Sequence, residues 1–448
     1  MGSYEKIFKA YDVRGIVPDE LDEGVAESVG AAFARLTGAP SLVTVHDMRT
    51  SSRPLAEAFG RGAVSQGADV IEGGLGSTDM LYYASGSLGI PGAMITASHN
   101  PAKYNGIKLC REGARPVGRD TGLIELRDAA AQGLPPYHGT PGVVVQRDLL
   151  SGYASHLKKL VDLSAIRPLK VAVDAGNGMA GHTVPKVFEG LPITVVPLYF
   201  ELDGTFPNHE ANPIDPQNLR DLQRAVIDSG ADIGLAFDGD ADRCFVVDER
   251  GAVVSPSVLT ALIAVRELAR EPGAPVIYNL ITSRAVPEII TEHGGIPIRT
   301  RVGHSFIKAR MAETGAVFGG EHSGHFYFRD FWYADSGMLA ALHVLAALGE
   351  QDAPLSDVLA GYGRYVATGE LNSEVADQAG ATARVRAVFA GRPGVTFDEL
   401  DGLTVTGDSW WFNLRPSNTE PLLRLNLEAS DEDTMLRLRD EVLGIVRG

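Results

Sequence analysis

Cysteine is scarce in this sequence, with 2 residues among 448. A protein held together by disulfides needs more, so we expect this chain to belong to a reducing compartment. Cys110 ends an apolar run and Cys244 lies within another. Both are therefore predicted to be buried packing residues rather than reactive thiols.

Long apolar runs are missing as well. No stretch approaches the roughly 18 consecutive apolar residues of a membrane-spanning helix. The first residues, MGSYEKIFKAYD, lack the apolar core of a signal peptide. These absences predict a soluble, cytoplasmic protein with no membrane partner, and nothing in the sequence points to an obligate protein partner.

Positive charge is outnumbered by negative charge. Lys and Arg total 40 against 57 Asp and Glu, which gives a formal net charge of -17. Such a surface repels a phosphate backbone, so nucleic acid is excluded as a general partner. An anionic small molecule would need local Arg and Lys, whereas clustered acids suit a divalent cation.

The apolar residues make up 44% of the chain and fall into short runs that alternate with helical patterns. Strands are predicted at residues 5–14, 42–45 and 68–71, with amphipathic helices between them. This alternation favours a parallel sheet with helices on both faces. The chain is too long for a single core, so several domains are expected.

Breaks in composition predict four domains, at residues 1–142, 143–250, 251–362 and 363–448. Each of the first three is predicted to be a mixed α/β unit whose apolar strand ends in a polar loop: AMI/TASHNP, LAF/DGDADR and VF/GGEHSGH. The last domain has strands at GLTVTG, SWWFNLR and LLRLNLEA before a helix, which predicts an α+β fold. Glycines 361, 363 and 369 predict a flexible link before it.

The first polar loop presents Ser98 directly after a predicted strand. His99 and Lys108 are close in sequence and are counted with it as catalytic candidates. A serine beside an imidazole and an ammonium suits a nucleophile or a phosphoryl carrier. The alternative is a polar strand-to-helix turn in which Ser98 caps the helix.

The second loop alternates acids with small residues, at Asp238, Asp240 and Asp242. Three neighbouring carboxylates repel one another unless a cation neutralises them, which predicts a Mg²⁺ site. A calcium loop would place Glu249 suitably, but Arg243 stands where that loop needs glycine. Another alternative makes Asp238 the nucleophile of an aspartyl-phosphate phosphatase.

The third loop, GGEHSGH, supplies Glu321, Ser323 and His325. These side chains suit hydrogen bonds to sugar hydroxyls, and zinc binding through the histidines is the alternative. Upstream, the motif RTRVGHS offers Arg301 and His304 as an anion-binding or acid–base site.

A last motif, RPSNTEP, begins at Arg415 just after a predicted strand. Arginine forks match phosphate oxygens, and hydroxyl, amide and backbone N–H groups complete an anion cradle. The alternative is a surface turn in which Arg415 pairs with an acid.

In this order, the motifs FKAYDVRG, TASHNPAKYNGIK, DGDADR, VGHS, GEHSGH and RPSNTEP resemble those of the α-D-phosphohexomutase superfamily. The resemblance is greatest to its bacterial phosphomannomutase and phosphomannomutase/phosphoglucomutase type, and it covers nearly the whole chain. It implies a heart-shaped protein of four domains. Three of these are similar α/β domains, and the C-terminal one is an α+β domain like the TATA-box-binding protein.

The resemblance also implies roles for individual residues. Ser98 is the phosphoserine, and its phosphate holds Mg²⁺ together with Asp238, Asp240 and Asp242. The remaining implied positions are Lys108 and His304 for acid–base steps, Arg14 and Arg243 near the transferred phosphoryl group, Tyr11, Glu321 and Ser323 at the sugar, and Arg415, Ser417, Asn418 and Thr419 at the phosphate.

The implied reaction is that of a phosphomannomutase. Phosphoserine gives its phosphoryl group to a hexose monophosphate, the resulting hexose 1,6-bisphosphate reorients, and its other phosphate returns to the serine. Mannose 6-phosphate and mannose 1-phosphate are the expected pair, with glucose phosphates or dual specificity as the alternative. A catalytically silent phosphosugar-binding protein is the competing class, and the occupied catalytic positions disfavour it.

Overall fold

The structure is a computed structural model that describes residues 2–417 and 422–448. The chain divides into two compact units. The first unit consists of Met1–Leu259 and Ser323–Val358, and the second of Thr260–His322 and Leu359–Gly448. Among the described residues, no helix combines the length and the apolarity that a membrane crossing requires.

The beginning of the first unit is a mixed sheet between helices. Its elements are the helices α1 (Gly2–Ile7), α2 (Glu23–Thr37), α3 (Ser52–Ser65), α4 (Thr78–Leu88) and α5 (Leu123–Gln132), and the strands β1 (Val13–Ile16), β2 (Ser41–His46), β3 (Asp69–Leu75), β4 (Gly92–Ile95), β5 (Tyr104–Arg111), β6 (Arg115–Pro116) and β7 (Val144–Gln146). The strand order is β1-β5-β4-β2-β3-β7, and β6 pairs with β5. β5 runs antiparallel to both β1 and β4, whereas β4, β2, β3 and β7 are parallel.

Helix α2 shows how the sequence sets these elements. The Asp22 side chain accepts a hydrogen bond from the N–H of Val25, and Gly38 ends the helix with φ 60°. Between them, Val29 and Phe33 share one face and are completely buried. The periodicity of the sequence therefore directs this face into the core.

Helices α2 and α3 approach each other through glycines. A Cβ at Gly30 would lie 2.0 Å from the carbonyl oxygen of Phe59, and a Cβ at Gly62 would lie 1.9 Å from that of Glu27. Real side chains do not tolerate such distances, so the two backbones pack this closely only because both positions lack a side chain.

The strand predicted at residues 5–14 is wrong in its first half, because α1 occupies that part and β1 begins only later. Tyr4, Ile7 and Phe8 have helical spacing and pack against the core of this sheet. In the helix Tyr4 and Ile7 lie on one face, and Phe8 follows directly after the helix end. A continuous strand would turn Ile7 and Phe8 to opposite faces.

The next part of the first unit is a second mixed sheet. Its elements are α6 (Leu150–Leu160), β8 (Leu169–Asp174), α7 (Ala180–Phe188), β9 (Ile193–Leu198), α8 (Arg220–Ser229), β10 (Ile233–Phe237), β11 (Cys244–Asp248) and β12 (Val253–Val254). β8 is parallel to β9 and β10, and β10 and β11 form an antiparallel hairpin whose turn is DGDADR. Cys110 and Cys244 are both buried, as predicted.

The third part of the chain is divided between the two units. Its elements are α9 (Pro256–Arg270), β13 (Pro275–Asn279), α10 (Ala285–Glu292), β14 (Ile296–Thr300), α11 (His304–Thr314), β15 (Phe318–Gly320), β16 (Phe326–Phe328), β17 (Ala334–Asp335), α12 (Gly337–Gly349) and α13 (Leu355–Leu359). In the second unit, β13 is parallel to β14 and to β15. In the first unit, β16 and β17 are antiparallel, and α12 is buried along its whole length.

The rest of the second unit is an antiparallel sheet with two helices. Its elements are β18 (Val366–Glu374), α14 (Gln378–Ala390), β19 (Thr396–Asp398), β20 (Leu403–Thr406), β21 (Trp410–Pro416), β22 (Leu422–Ala429) and α15 (Glu432–Arg447), with the strand order β18-β22-β21-β20-β19. Phe389, Phe412 and Leu438 anchor its core. The predicted fold class, mixed α/β followed by α+β, is confirmed.

Gly369 does not belong to a flexible link, so the prediction is wrong for this glycine. It lies within β18, where the pairing with β22 shifts between Ala367 and Glu370. Its φ of 68° fits a bulge in the strand, a conformation that glycine adopts without strain.

Candidate active site

The loop between β4 and β5 presents Ser98 at the edge of the first sheet. The Ser98 backbone is left-handed, with φ 50°, and its N–H donates to the hydroxyl of Thr96 at 2.9 Å. Its hydroxyl donates to Asp238 Oδ2 at 2.8 Å and lies 3.1 Å from His99 Nδ1. The helix-capping alternative is wrong, because this loop leads into the antiparallel strand β5 and not into a helix.

The turn between β10 and β11 carries the three aspartates. Asp238, Asp240 and Asp242 are all buried, and one carboxylate oxygen of each lies within 4.8 Å of the others. The left-handed backbone of Ala241, with φ 57°, lets this turn fold back tightly. Both flanks are strands, which contradicts the calcium-loop alternative, because that loop joins two helices.

Two cations face these carboxylates. Lys108 Nζ lies 2.7 Å from Asp240 Oδ2 and 2.6 Å from Asp242 Oδ2. Arg243 Nε donates to Asp238 Oδ2 at 2.9 Å, and the Arg243 N–H donates to Asp238 Oδ1 at 3.1 Å. With all five side chains charged, one negative charge of this carboxylate cluster stays uncompensated.

Burial and neighbouring charge set the protonation of the carboxylate cluster. Burial raises the pKa of Asp238 to about 7, against the opposing charge of Arg243. Burial also acts on Asp240, but the ammonium of Lys108 outweighs it and holds the pKa of Asp240 below its usual value. Burial of Lys108 is in turn outweighed by Asp240 and Asp242, which raise the pKa of its ammonium. Lys108 is therefore charged at neutral pH.

The carboxylate cluster fits a divalent cation. Asp240 Oδ1 and Asp242 Oδ1 are buried and accept no hydrogen bond from the described part of the chain. A buried carboxylate oxygen normally has a partner, and closely grouped carboxylate oxygens are the ligands that Mg²⁺ prefers. Asp238, Asp240 and Asp242 together therefore suit Mg²⁺.

Two histidines border the carboxylate cluster in opposite electrostatic settings. His325 Nδ1 lies 3.0 Å from Asp335 Oδ2 and 3.9 Å from Asp242 Oδ1. Burial of His325 is outweighed by these two carboxylates, so its pKa is raised. The pKa of His99 is lowered well below its usual value by burial and by the nearby arginines. His99 is therefore neutral, whereas His325 is suited to hold a proton.

Three more predicted residues belong to the first unit. Arg14 Nη1 donates to Asn100 Oδ1 at 2.6 Å and Arg14 Nη2 to Asp12 Oδ2 at 2.5 Å. Its guanidinium therefore lies beside the Ser98 loop. Tyr11 is partly exposed just before β1, and Ser323 is partly exposed just before β16.

The second unit places two arginines beside Glu370: Arg415, which is predicted, and Arg424, which is not. Arg415 Nη2 lies 2.9 Å from Glu370 Oε2, and Arg424 Nη1 lies 3.3 Å from Glu370 Oε1. Arg424 Nη2 also lies 3.4 Å from Ser417 Oγ. Arg415 is thus paired with an acid, as the alternative for this motif predicts. Two arginines nevertheless share one carboxylate, so positive charge remains to attract an anion.

Glu321 follows β15 in the same unit. Its Oε1 accepts hydrogen bonds from Asn279 Nδ2 and from the N–H of Gly303, each at 3.2 Å. The pKa of the adjacent His322 is lowered by burial, against the charge of Glu370. Glu321, His322 and Glu370, all of the second unit, are therefore within electrostatic reach of one another.

Fewer contacts are defined for the remaining predicted residues. His304 is the first residue of α11, and the guanidinium of Arg301 lies 5.0 Å from the ring centroid of Phe306. Asn418 and Thr419 lie outside the described residues.

Four contributors are missing from the sequence predictions. In the first unit, the Thr78 hydroxyl donates to Asp240 Oδ2 at 2.6 Å, and Asp335 pairs with His325. In the second unit, Glu370 pairs with Arg415 and with the fourth contributor, Arg424. Each lies in a stretch without a recognisable motif, so residue type and spacing alone give no signal for them.

Models of the phosphoglucomutase/phosphomannomutase family match four successive parts of the chain. They are the alpha/beta/alpha domain I at residues 5–132, domain II at 151–251, domain III at 256–365 and the C-terminal domain at 370–445. The matches run in the order of the family's domains and together take in most of the chain.

Full-length relatives agree with these matches. A protein named phosphohexose mutases from Xanthomonas campestris pv. campestris is 41% identical over 98% of this chain and 99% of its own. A phosphomannomutase from Escherichia coli K12 is 39% identical over 97% of each chain. A crystal structure of a phosphoglucomutase/phosphomannomutase family protein from Burkholderia thailandensis is 33% identical, with a TM-score of 0.89 over 99% of this chain and 97% of that one. The chain therefore belongs to the phosphoglucomutase/phosphomannomutase family and is an enzyme of the phosphohexomutase superfamily.

Proposed function

We propose that this enzyme interconverts mannose 6-phosphate and mannose 1-phosphate through a phosphoserine at Ser98 and a hexose 1,6-bisphosphate. One observation carries the proposal: the Ser98 hydroxyl lies 2.8 Å from Asp238 Oδ2, at the edge of the carboxylate cluster. A phosphate on that hydroxyl would lie beside the same oxygen ligands that suit Mg²⁺.

Asp238, Asp240 and Asp242, with an oxygen of the phosphorylated Ser98, would hold Mg²⁺. Phosphorylation adds up to about two negative charges to a cluster that already has one uncompensated. When bound, the cation supplies neutralisation of charge on the phosphoryl group.

The phosphoryl group moves between two oxygens. In the first half-reaction the bond from phosphorus to Ser98 Oγ breaks, and a bond forms from phosphorus to the free hydroxyl oxygen of the hexose monophosphate. The proton of that hydroxyl passes to a base on the enzyme. In the second half-reaction the other phosphate of the 1,6-bisphosphate returns to Ser98, and the proton returns to the sugar oxygen that it leaves. Arg14 and Arg243 place positive charge near this transfer.

His325 is well placed to be that base. Its imidazole is held by Asp335, and its raised pKa makes it a stronger proton acceptor than an ordinary imidazole. Lys108, by contrast, is kept as an ammonium by two carboxylates and provides positive charge in this arrangement. His304 is the second candidate for an acid–base step, on the resemblance to the superfamily.

The rest of the substrate is proposed to bind through the two later motifs. Glu321 and Ser323 would contact sugar hydroxyls, and the phosphate that is not reacting would bind at Arg415, Ser417, Asn418 and Thr419. The shared pairing of Arg415 and Arg424 with Glu370 supports an anion site, because one carboxylate does not neutralise two guanidinium groups.

Mannose is proposed as the preferred sugar because relatives named phosphomannomutase match along the whole chain at 38 and 39% identity. Glucose phosphates are the alternative substrates. The two sugars differ in the orientation of one hydroxyl, and this changes the free energy of binding by only a few kcal/mol unless a dedicated contact binds that hydroxyl. An aspartyl-phosphate mechanism is disfavoured, because Arg243 and Ser98 already occupy both oxygens of Asp238.

The test is phosphate mapping after incubation with hexose 1,6-bisphosphate and MgCl₂, followed by a mannose 1-phosphate to mannose 6-phosphate assay. We expect acid-stable phosphate on Ser98 and a loss of activity of about a thousandfold or more in Ser98→Ala. Ser28→Ala, on the surface of α2, is the matched control and is expected to keep wild-type activity. Hydroxylamine-labile phosphate on Asp238 would instead show a phosphatase-type enzyme, and a protein that binds the sugar without phosphate or turnover would show the silent class.

A further inference from the structure

Arg49 lies buried beneath the Ser98 loop, with an exposed fraction of 3%. Its Nη2 donates to the carbonyl oxygens of Ser98 at 2.9 Å and Asn100 at 2.6 Å. Its Nη1 donates to those of Pro101 at 3.0 Å and Tyr104 at 2.9 Å. One guanidinium therefore holds the loop between β4 and β5 at three points and the first residue of β5 at a fourth.

The Arg49 guanidinium is itself held in place by Asp47. Asp47 Oδ1 accepts hydrogen bonds from the Arg49 N–H at 2.9 Å and from Ser52 Oγ at 2.5 Å. Asp47 Oδ2 lies 3.3 Å from Arg49 Nε, and the Asp47 N–H donates to the carbonyl of Ile95 at 3.0 Å. Arg49 is thus anchored to β4, the strand from which the Ser98 loop departs.

This anchoring acts where the loop is strained. Ser98 has φ 50°, a left-handed conformation that side-chain-bearing residues keep only where their surroundings enforce it. Its carbonyl oxygen accepts from Arg49 on one side. On the other side it faces Gly239, where a Cβ would lie 2.4 Å from that oxygen. The carbonyl is therefore confined, and its direction sets where the Ser98 hydroxyl points.

A second connection runs through Asn100. Its carbonyl accepts from Arg49, and its side-chain oxygen accepts from Arg14 Nη1 at 2.6 Å. Arg49 therefore supports the phosphoserine and also the arginine beside it.

We infer that Arg49 is a positioning residue for phosphoryl transfer: it holds Ser98 in the left-handed conformation that aims its hydroxyl at the carboxylate cluster, and it sets Arg14 through Asn100. The inference rests on the proposed function, since it requires Ser98 to be the phosphoryl carrier. Arg49 acts through the loop and does not touch the reacting atoms. Lysine does not replace it, because an ammonium lacks the planar fork that reaches four carbonyls at once.

The experiment compares Arg49→Lys with Arg53→Lys in the full-length enzyme. Arg53 is the matched control, an exposed arginine that pairs with Glu57 on the surface of α3. Four quantities are measured for each variant: the thermal midpoint, kcat, KM for mannose 1-phosphate, and the rate at which hexose 1,6-bisphosphate phosphorylates Ser98. Arg49→Ala is assayed with and without millimolar guanidinium chloride, and with the same concentration of sodium chloride.

We expect Arg49→Lys to fold and to keep KM within about threefold, while kcat and the phosphorylation rate fall about a hundredfold. Guanidinium is expected to restore part of the activity of Arg49→Ala and none of that of Ser98→Ala. A purely structural arginine would lower the thermal midpoint without this split between kcat and KM and without rescue.

The inference is overturned if Arg49→Lys has the same kcat and the same phosphorylation rate as Arg53→Lys, and the wild type is phosphorylated on Ser98. In that case the proposed function stands. If Arg49→Lys does not fold, Asp47→Asn is tested in its place, because it removes the carboxylate that fixes Arg49. Asp47→Asn is also expected to lower kcat. If its kcat equals that of Arg53→Lys, the inference is overturned. A wild type without phosphate on Ser98 overturns the proposed function and this inference with it.

Discussion

Ser98 Oγ and Asp238 Oδ2 lie 2.8 Å apart although 140 residues separate them in the chain. Replacing Asp238 with Asn keeps the shape of this partner and removes its charge. We expect Asp238→Asn to weaken Mg²⁺ binding by at least about tenfold, because one of three closely grouped carboxylates is lost. Isothermal titration with MgCl₂ alone measures the change.

Asp228→Asn is the control, because Asp228 is an exposed acid of the same unit. It changes the net charge of the protein equally and leaves the carboxylate cluster intact. Equal Mg²⁺ affinities of the two variants would show that the cation binds elsewhere.

Lys108 is the cation that Asp240 and Asp242 share in the structure. In Lys108→Met both carboxylates stay buried without it, so we expect the free energy of unfolding to fall by about 3 kcal/mol or more in metal-free buffer. MgCl₂ is expected to raise the thermal midpoint more in the variant than in the wild type, because the cation then relieves a larger repulsion. Thermal unfolding with MgCl₂ or EDTA measures both effects.

Lys186→Met serves as the reference, since Lys186 pairs with Glu189 on the surface. Surface pairs contribute little to stability, so its midpoint is expected to stay close to that of the wild type. An equal response of Lys108→Met and Lys186→Met to MgCl₂ would disprove the role of Lys108 in the cluster.

The contribution of Asp79 to the stability of the fold depends on pH. Asp79 is completely buried and accepts hydrogen bonds from Tyr153 Oη at 2.7 Å, Ser336 Oγ at 2.5 Å and the hydroxyl of Ser77. Burial raises the pKa of Asp79 to about 7 from an ordinary value of 3.8. Between these two pH values the folded state binds a proton that the unfolded state has released. The contribution of Asp79 to the free energy of unfolding therefore falls as pH rises through this window.

Asp79→Asn removes that dependence. The free energy of unfolding of Asp79→Asn minus that of the wild type is expected to be larger at pH 8 than at pH 5, by a few kcal/mol. Urea unfolding at both pH values measures the two differences. A difference between variant and wild type that is the same at pH 5 and pH 8 would contradict the raised pKa.

Two glycines of α3 make a matched pair for packing. A Cβ at Gly62 would lie 1.9 Å from the carbonyl oxygen of Glu27, whereas the nearest atom to a Cβ at Gly60 is 3.8 Å away. Gly62→Ala is expected to destabilise the fold by more than about 2 kcal/mol. Gly60→Ala is expected to be neutral or stabilising by up to about 1 kcal/mol, because alanine is the better helix former. Denaturant unfolding of both variants tests this, and equal effects would refute the close approach of α2 and α3.

Much of the fold was predictable, because it rests on local patterns. The apolar runs that end at TASHNP and DGDADR are the strands β4 and β10, and the acids of DGDADR alternate as a metal turn requires. Where serine, aspartate and arginine stand at strand ends, the residue types alone indicate the chemistry of the site. The carboxylate cluster was therefore recognisable before the fold was known.

The residues that support this chemistry were not predictable in the same way. Thr78 and Glu370 reach their partners across 162 and 45 positions of the chain. Asp335 meets His325 beside the pairing of β16 with β17, and Arg49 acts on backbone carbonyls, which any sequence supplies. The sequence does not distinguish α1 from a strand, because Tyr4 and Ile7 lie only one turn apart and form too short a pattern. Tertiary packing decided each of these cases.

The contact of Thr78 with Asp240 spans 162 positions of the chain, and this has a consequence for synthesis. At about 5–20 residues per second, a ribosome makes the serine loop several seconds or more before it makes the carboxylates. During that interval the nascent chain has the loop but neither the hydrogen-bond acceptor of Ser98 nor a cation site. The pairing of Ser98 with the carboxylate cluster therefore forms only when the second sheet packs against the first, which makes assembly of the candidate site a late event in synthesis.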